Sequence, residues 1–203
     1  MKPLTFSDSD KEYAQKTIRI LSGAYGILKP YDSIYEYRLE MLTKLNVAGT
    51  KNLYEYWSDL LYQDLTASDD RIVNLASEEY AKCIRKYVKA PVRFLTCSFK
   101  VRKNGVYKTL ATAAKMARGQ MVHYIITNRI SDFEKLKEFD TDGYFYELPS
   151  PLTPNSSFYS ADFLQRCLIP STTSLHSAVP ILVHSEVFQY QYCSPEAVVS
   201  LLH

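Results

Sequence analysis

At Glu147 the chain changes character, and that break predicts a regular fold in the residues before it. Of 203 residues, positions 1–146 hold all six glycines, 23 of the 24 Lys and Arg, and a net charge of +5. Positions 147–203 hold one basic residue (Arg166), no glycine, ten Ser, six Pro and a net charge of −3. Pro149, Pro151 and Pro154 open this second part and oppose regular structure there. Only short apolar runs follow, such as Ala178 to Val183 and Glu186 to Tyr192. The expectation is one folded domain over 1–146 and a Ser/Pro-rich, poorly ordered tail over 147–203.

The first part is patterned for a mixed α/β fold. Ser9-x-x-Glu12 reads as a capping box. Ala14, Ile18 and Leu21 continue its helix at i, i+4, i+7 until Ser22-Gly23. Ala24 to Pro30 is a strand or loop. Lys51 to Leu65 reads as a second helix with Leu53, Trp57, Leu60 and Leu61 on one face. Arg71 to Ala76 is a buried-type strand. Glu78 to Val88 is a third helix, with Tyr80, Ile84, Tyr87 and Val88 inward and Lys82, Arg85, Lys86 and Lys89 outward.

Leu95, Cys97, Phe99 and Val101 then alternate with Thr96, Ser98, Lys100 and Arg102, the period of a strand with one wet face. Asn104-Gly105 predicts a type I′ hairpin. The return strand, Val106 to Leu110, brings Lys108 beside Lys100 or Arg102. Thr112 to Asn128 is a long helix whose buried stripe runs Ala113, Ala117, Met121, Tyr124, Ile125, with Lys115 and Arg118 on another face. Ser131-x-x-Glu134 caps a short helix, and Gly143 to Tyr146 is a last strand. Strands alternating with helices around a hairpin imply a single mixed α/β domain, a mixed sheet flanked by helices.

Charge is as uneven as composition. Between Tyr80 and Ser131 there is no Asp or Glu, against twelve Lys and Arg. A one-signed block repels itself unless an anion sits there, and phosphate backbones are a common partner. The ordinary alternative is a solvated face without acids. No apolar run approaches the ~18 residues of a membrane helix, and the start lacks an apolar signal-peptide core, so a cytoplasmic location is expected. The scattered Cys83, Cys97, Cys167 and Cys193 form no Cys-x-x-Cys, which argues against a zinc site or a disulfide framework. Cys83 and Cys97 fall on core positions, and His123 reads as a structural helix histidine. No phosphate-binding Gly-rich loop, nucleophile elbow or paired-histidine motif is present. Nothing in the sequence implies a metal or a cofactor.

Four local groupings remain. Leu21 to Asp32 carries Gly23 and Gly26, which permit close backbone approach, followed by Lys29. Tyr37-Arg38-Leu39-Glu40-Met41 sets one Arg among apolar neighbours, fit for a carboxylate or another anion. Asn74 to Tyr80 places polar residues between a strand end and a helix start, where open α/β sheets bind ligands. Ala114-Lys115-Met116-Ala117-Arg118-Gly119 puts a glycine inside a helix, a sign of tight packing or exposed backbone.

In order and spacing, L-S-G-A-Y-G-I-L-K-P (21–30), Y-R-L-E-M (37–41), L-Y-E-Y-W (53–57), V-N-L-A-S-E-E-Y (73–80), A-K-M-A-R-G (114–119) and F-D-T-D-G-Y-F-Y (139–146) resemble the peroxide stress protein YaaA family over residues 5 to 146. The resemblance implies a cytoplasmic bacterial protein of the hydrogen peroxide response, linked to limiting damage from free iron. It also implies a mixed α/β domain with a positively charged cleft that binds DNA. Lys29, Arg38, Lys115 and Arg118 would line that cleft as phosphate contacts. By charge alone, Lys82, Arg85, Lys86, Lys100, Arg102 and Lys103 would extend the footprint.

Two departures stand out. The family's opening strand with its S-P-A-K-type segment and its helix-hairpin-helix are absent, and only Glu186-Val187-Phe188-Gln189 resembles its V-F-x-R ending. A gene fragment truncated at its front is therefore one expectation, with an uncovered sheet edge that invites self-association. The second functional reading is an enzyme acting on an anionic or phosphorylated small substrate in the same cleft, through Arg38 and Lys115 with Glu78 or Glu79 as base. Direct iron binding lacks clustered ligands, and Asp69-Asp70 reads as a solvated turn.

Overall fold

The structure is a computed structural model that describes residues 6–147, 157–160 and 180–184. Ser7, rather than Ser9, opens α1 (Asp8–Thr17): its hydroxyl accepts from the Asp10 amide, and the Asp10 carboxylate accepts from the Ser7 amide. The helix stops at Thr17. Ile18–Ser22, expected to continue it, is instead strand β1, in which Ile18, Ile20 and Leu21 are fully buried. A strand covered on both faces reads as a continuous apolar run, which periodicity alone does not separate from a helix stripe.

After β2 (Gly26–Leu28), the single helix expected over 51–65 is two, α2 (Leu53–Trp57) and α3 (Leu60–Thr66). The break falls at Ser58, whose φ of 46° lies outside helical space. Leu60, expected inward, is 56% exposed in consequence. There follow β3 (Arg71–Asn74), α4 (Glu78–Arg85), β4 (Arg93–Thr96), β5 (Ser98–Lys103), β6 (Val106–Lys108) and α5 (Ala111–Thr127). A 3-10 turn over Glu134–Glu138 begins after an Asp132 carboxylate caps the Glu134 amide, in place of the expected Ser131 cap. β7 (Tyr144–Glu147), β8 (Ser157–Ser160) and β9 (Ile181–His184) are the last elements among the described residues.

Two sheets divide these strands. The first runs β2-β1-β9-β3-β4, with β1, β9, β3 and β4 parallel and β2 antiparallel on β1. The second runs β6-β5-β8-β7. The alternating run from Leu95 to Val101, expected as one strand, is split at the buried Cys97, where the chain leaves the first sheet and enters the second. The hairpin forms as expected, with Asn104 and Gly105 both at positive φ. Its register sets Lys108 opposite Val101 and Tyr107 opposite Arg102, so Lys108 shares the face of Val101 and not that of Lys100 and Arg102.

Most of the tail expected over 147–203 lies outside the described residues. Two described segments of it belong to the sheets: β8 pairs with both β5 and β7, and β9 lies between β1 and β3. Along β1, β3 and β9, neighbouring residues feed opposite cores. Ile18, Ile20, Val73, Ile181 and Val183 meet α5 and the aromatic layer of Phe99, Phe139 and Tyr144. Leu21, Ile72 and Leu182 meet α2, α3 and α4. Helices therefore cover both faces of the first sheet, the arrangement that parallel strands require.

Candidate anion-binding site

All four parallel strands end on the same side, and the sequence groupings meet there. The β1–β2 turn is closed by Ser22, whose hydroxyl accepts from the Tyr25 amide at 2.9 Å and is hydrogen-bonded to the Tyr37 hydroxyl. A side chain on Gly23 would stand 2.6 Å from the Leu39 carbonyl oxygen, so glycine is what lets the 37–41 segment cross the strand end. Met41 is fully buried beneath it, and the Leu42 amide donates to Glu79 of α4 at 3.0 Å. Asn74, also fully buried, turns β3 toward α4: its Oδ1 accepts from the Ala76 amide at 3.0 Å, and its Nδ2 donates to Thr96 at the end of β4.

α5 runs against the strands. Its C-terminal Ile125 lines a small cavity with Val73, Ile130 and Ile181, and Arg71 at the start of β3 donates to the Ser131 carbonyl at 3.4 Å. The seven residues from Ile125 back to Arg118 rise about 10 Å, which carries Arg118 toward the strand ends. Its neighbours four before and four after, Ala114 and Val122, are both buried. Arg118 thus belongs to the inward stripe, which runs through Ala114 rather than the expected Ala113, and not to a separate face with the exposed Lys115. Burial lowers the Arg118 pKa, and its buried Nε has no hydrogen-bond partner among the described residues. A guanidinium partly withdrawn from water gains from an anion beside it.

The other predicted cations separate. Arg38 is exposed, between Tyr37 and Leu39 at the strand ends. Lys29 lies away from them: β2 runs antiparallel, Leu28 pairs with Ile20, and the Tyr31 amide reaches back to Gln15 of α1 at 3.1 Å. Lys82 and Arg85 are on α4, with Lys86 at its C-cap, across the sheet from α5. Lys82 sits over the Tyr54 ring, Lys86 over Tyr87, and Arg85 pairs with Glu78 at 2.6 Å. Lys100, Arg102 and Lys103 are on the second sheet. The sequence reading held Tyr25 and Tyr37 within two of its groupings without giving them a role and did not name Tyr35; seventeen tyrosines give no local sign of which gather at a strand end.

Glu78 and Glu79, the acids available to a catalytic reading, are both engaged, by Arg85 and by the Leu42 amide. Burial pushes the thiols of Cys83 and Cys97 up to about 12. A second concavity of about 190 Å³, near Leu95, Cys97 and Tyr146, has its cation Lys137 paired with Glu134. Among the described residues no three His, Cys, Asp or Glu side chains gather as metal ligands, and no helix is long and apolar enough to cross a membrane.

Fold and site together define a mixed α/β protein whose polar end is assembled from strand termini and one inward arginine. The chain belongs to the peroxide stress protein YaaA family, whose profile matches residues 1–148. It is 52% identical over 153 residues to a UPF0246 protein of Clostridioides difficile, covering 75% of this chain and 61% of that one. A UPF0246 protein of Ligilactobacillus salivarius is 46% identical over 147 residues, 72% of this chain and 60% of its own length. One from Agathobacter rectalis is 43% identical over 158 residues, 78% and 63% respectively. The matched region thus spans about three fifths of the length of these relatives.

Proposed function

We propose that this protein serves the response to hydrogen peroxide by binding DNA through its phosphates at the strand-end site, and so helps to limit iron-dependent oxidative damage. Arg118 carries the reading: a half-buried guanidinium on the inward stripe of α5, whose Nε has no hydrogen-bond partner among the described residues, favours an anion beside it. Arg38 and Lys115 add positive charge at the same end, within a chain that has no acid between Tyr80 and Ser131. Contacts of this kind fix a phosphate backbone without reading bases. The family's peroxide-stress description supports the physiological setting.

A filter-binding titration with unphosphorylated duplex DNA of mixed sequence tests the reading. If the three cations at this end reach phosphates, log affinity falls against log salt with a slope of about −3, with little difference between sequences. Absence of retention at low salt removes DNA binding from this chain.

A further inference from the structure

β9 holds the central place in the first sheet, yet it comes from outside the part of the chain that defines the family. The family profile ends at residue 148, and β9 is Ile181–His184. On one side it pairs in parallel with β1, from Ile18 opposite Ile181 to Leu21 opposite His184. On the other it pairs with β3 at Val73 and Asn74, and the Val73 and Leu75 amides donate to the Pro180 and Leu182 carbonyls at 3.1 and 2.8 Å. Ile181 and Val183 join the core beside α5, and Leu182 joins the core of α2, α3 and α4.

With β9 taken away, β1 and β3 stand two strand spacings apart, roughly 9.5 Å. Two facing rows of backbone donors and acceptors would then be left unpaired in the middle of the protein. Pairing β1 directly with β3 would disturb the packing on both faces at once, since each strand feeds both cores. The profile spans β1 and β3 alike and stops short of β9. The gap is therefore a property of the family region, and its filling is not.

The slot makes simple demands. Its occupant must be extended and parallel to both neighbours, and it must be apolar at every position because both faces are covered. Main-chain hydrogen bonds attach it and side-chain volume fits it, the terms on which a donor strand completes or enters another chain's sheet. The relatives indicate the kind of donor. About two fifths of each lies outside the match, and a strand from such a part is what their own copy of the gap calls for.

We propose that the gap between β1 and β3 is a strand-acceptor site, which an extended run of consecutive apolar residues on a separate polypeptide can occupy in place of β9. Because the slot is closed on both faces, the donor enters as the chain folds. The inference does not depend on the anion-binding reading.

The test uses a fluorescein-labelled peptide of residues 178–186 and a control peptide with aspartate at the Leu182 position. The full-length Leu182→Asp chain, whose own β9 cannot seat, is titrated with each, and its urea transition is followed by Trp57 fluorescence. A cooperative transition should return with the 178–186 peptide, and its midpoint should rise with peptide concentration, as mass action requires of a ligand for the folded state. The control peptide should restore nothing. Lys-Lys-Val-Ile-Val-Ile-Lys-Lys, unrelated in sequence but apolar at its centre, should also restore the transition.

Leu182→Ala, which weakens the tethered strand without charging it, keeps the test open if the aspartate variant does not stay in solution. Refolded from urea with the labelled peptide, this chain should retain the label. The parent chain should retain at least about tenfold less, since its tethered β9 competes at an effective concentration on the order of millimolar. No restored transition and no retained label overturn the proposal. Restoration by the 178–186 peptide alone ties the slot to β9 and overturns the wider class of donor. A parent chain that refolds as a dimer with exchanged β9 strands assigns the slot to a second copy and overturns the separate donor.

Discussion

The indole Nε1–H of Trp57 donates to the carbonyl oxygen of Gly23 at 3.0 Å, and the far edge of the same ring fills the space where a side chain on Gly26 would stand. One aromatic residue of α2 thereby fixes both glycines of the β1–β2 turn, and with them the strand end that carries Ser22 and Tyr37.

Gly26→Ala should be costly for two reasons that add. The residue has φ +75°, and an added Cβ would stand 2.9 Å from the Trp57 ring, which is rigid. The expected loss is about 2–4 kcal/mol, read as a lower urea midpoint at unchanged slope. Trp57 is the chain's single tryptophan, so its fluorescence follows the transition directly. A midpoint equal to that of the parent would show that the turn is not held in this way.

Leu182→Asp should abolish cooperative unfolding. Leu182 is fully buried in β9, between β1 and β3, and faces the core of α2, α3 and α4. An unpaired carboxylate there costs on the order of 3–5 kcal/mol, a large part of the stability of a domain this size. The check is a calorimetric scan. A sharp parent-like transition in the variant would remove β9 from the sheet.

Asp10 should shape the acid limb of stability. The Ser7 hydroxyl, the Arg129 guanidinium and the Ser7 amide hold its carboxyl down to about 2, from an ordinary 3.8. With the folded value below the unfolded one, the contribution is present above pH 3.8 and is lost as pH falls toward about 2. Asp10→Asn should flatten the dependence of the melting temperature on pH within that window and leave its shape near neutrality unchanged. Arg129, 2.6 Å from Asp10, ties the end of α5 to the start of α1, so Arg129→Met should flatten the same limb.

Cys83 and Cys97 should be poor direct reporters of peroxide. The thiolate is the reactive form, and burial pushes both thiols up to about 12. Brief N-ethylmaleimide treatment at neutral pH, followed by peptide mapping, should label these two at about a tenth or less of their level in urea. Fast labelling of either one in the native protein would contradict the buried positions seen here.

Much of the site could be read from the chain, because its parts are local. The glycines of the β1–β2 turn, the strand-to-helix junction at Asn74 to Tyr80 and the α5 grouping stand out as sequence features; the 37–41 and 74–80 groupings meet at the strand ends, and the rise of α5 carries its grouping toward them. The fourth divides: Gly23 is at the site, whereas Lys29 is carried away by the antiparallel register of β2. Arg118 was legible as a cation but not as an inward one. Whether a helix residue faces core or solvent depends on how the helix is rolled against its neighbours, and α5 is covered on a broad arc by the first sheet, α1 and β5.

By itself the sequence determined what a few neighbouring residues settle among themselves. Asn104-Gly105 dictates the hairpin through its left-handed dihedrals, the patterns of α4 and α5 dictate helices, and the motif series identifies the family. Only the tertiary structure decided that Ile18–Ser22 is a strand, that the chain changes sheets at Cys97, and that β9 from beyond residue 147 enters between β1 and β3. Those outcomes depend on burial of both faces and on hydrogen bonds to strands far away in sequence, and no local window contains the partners that supply them.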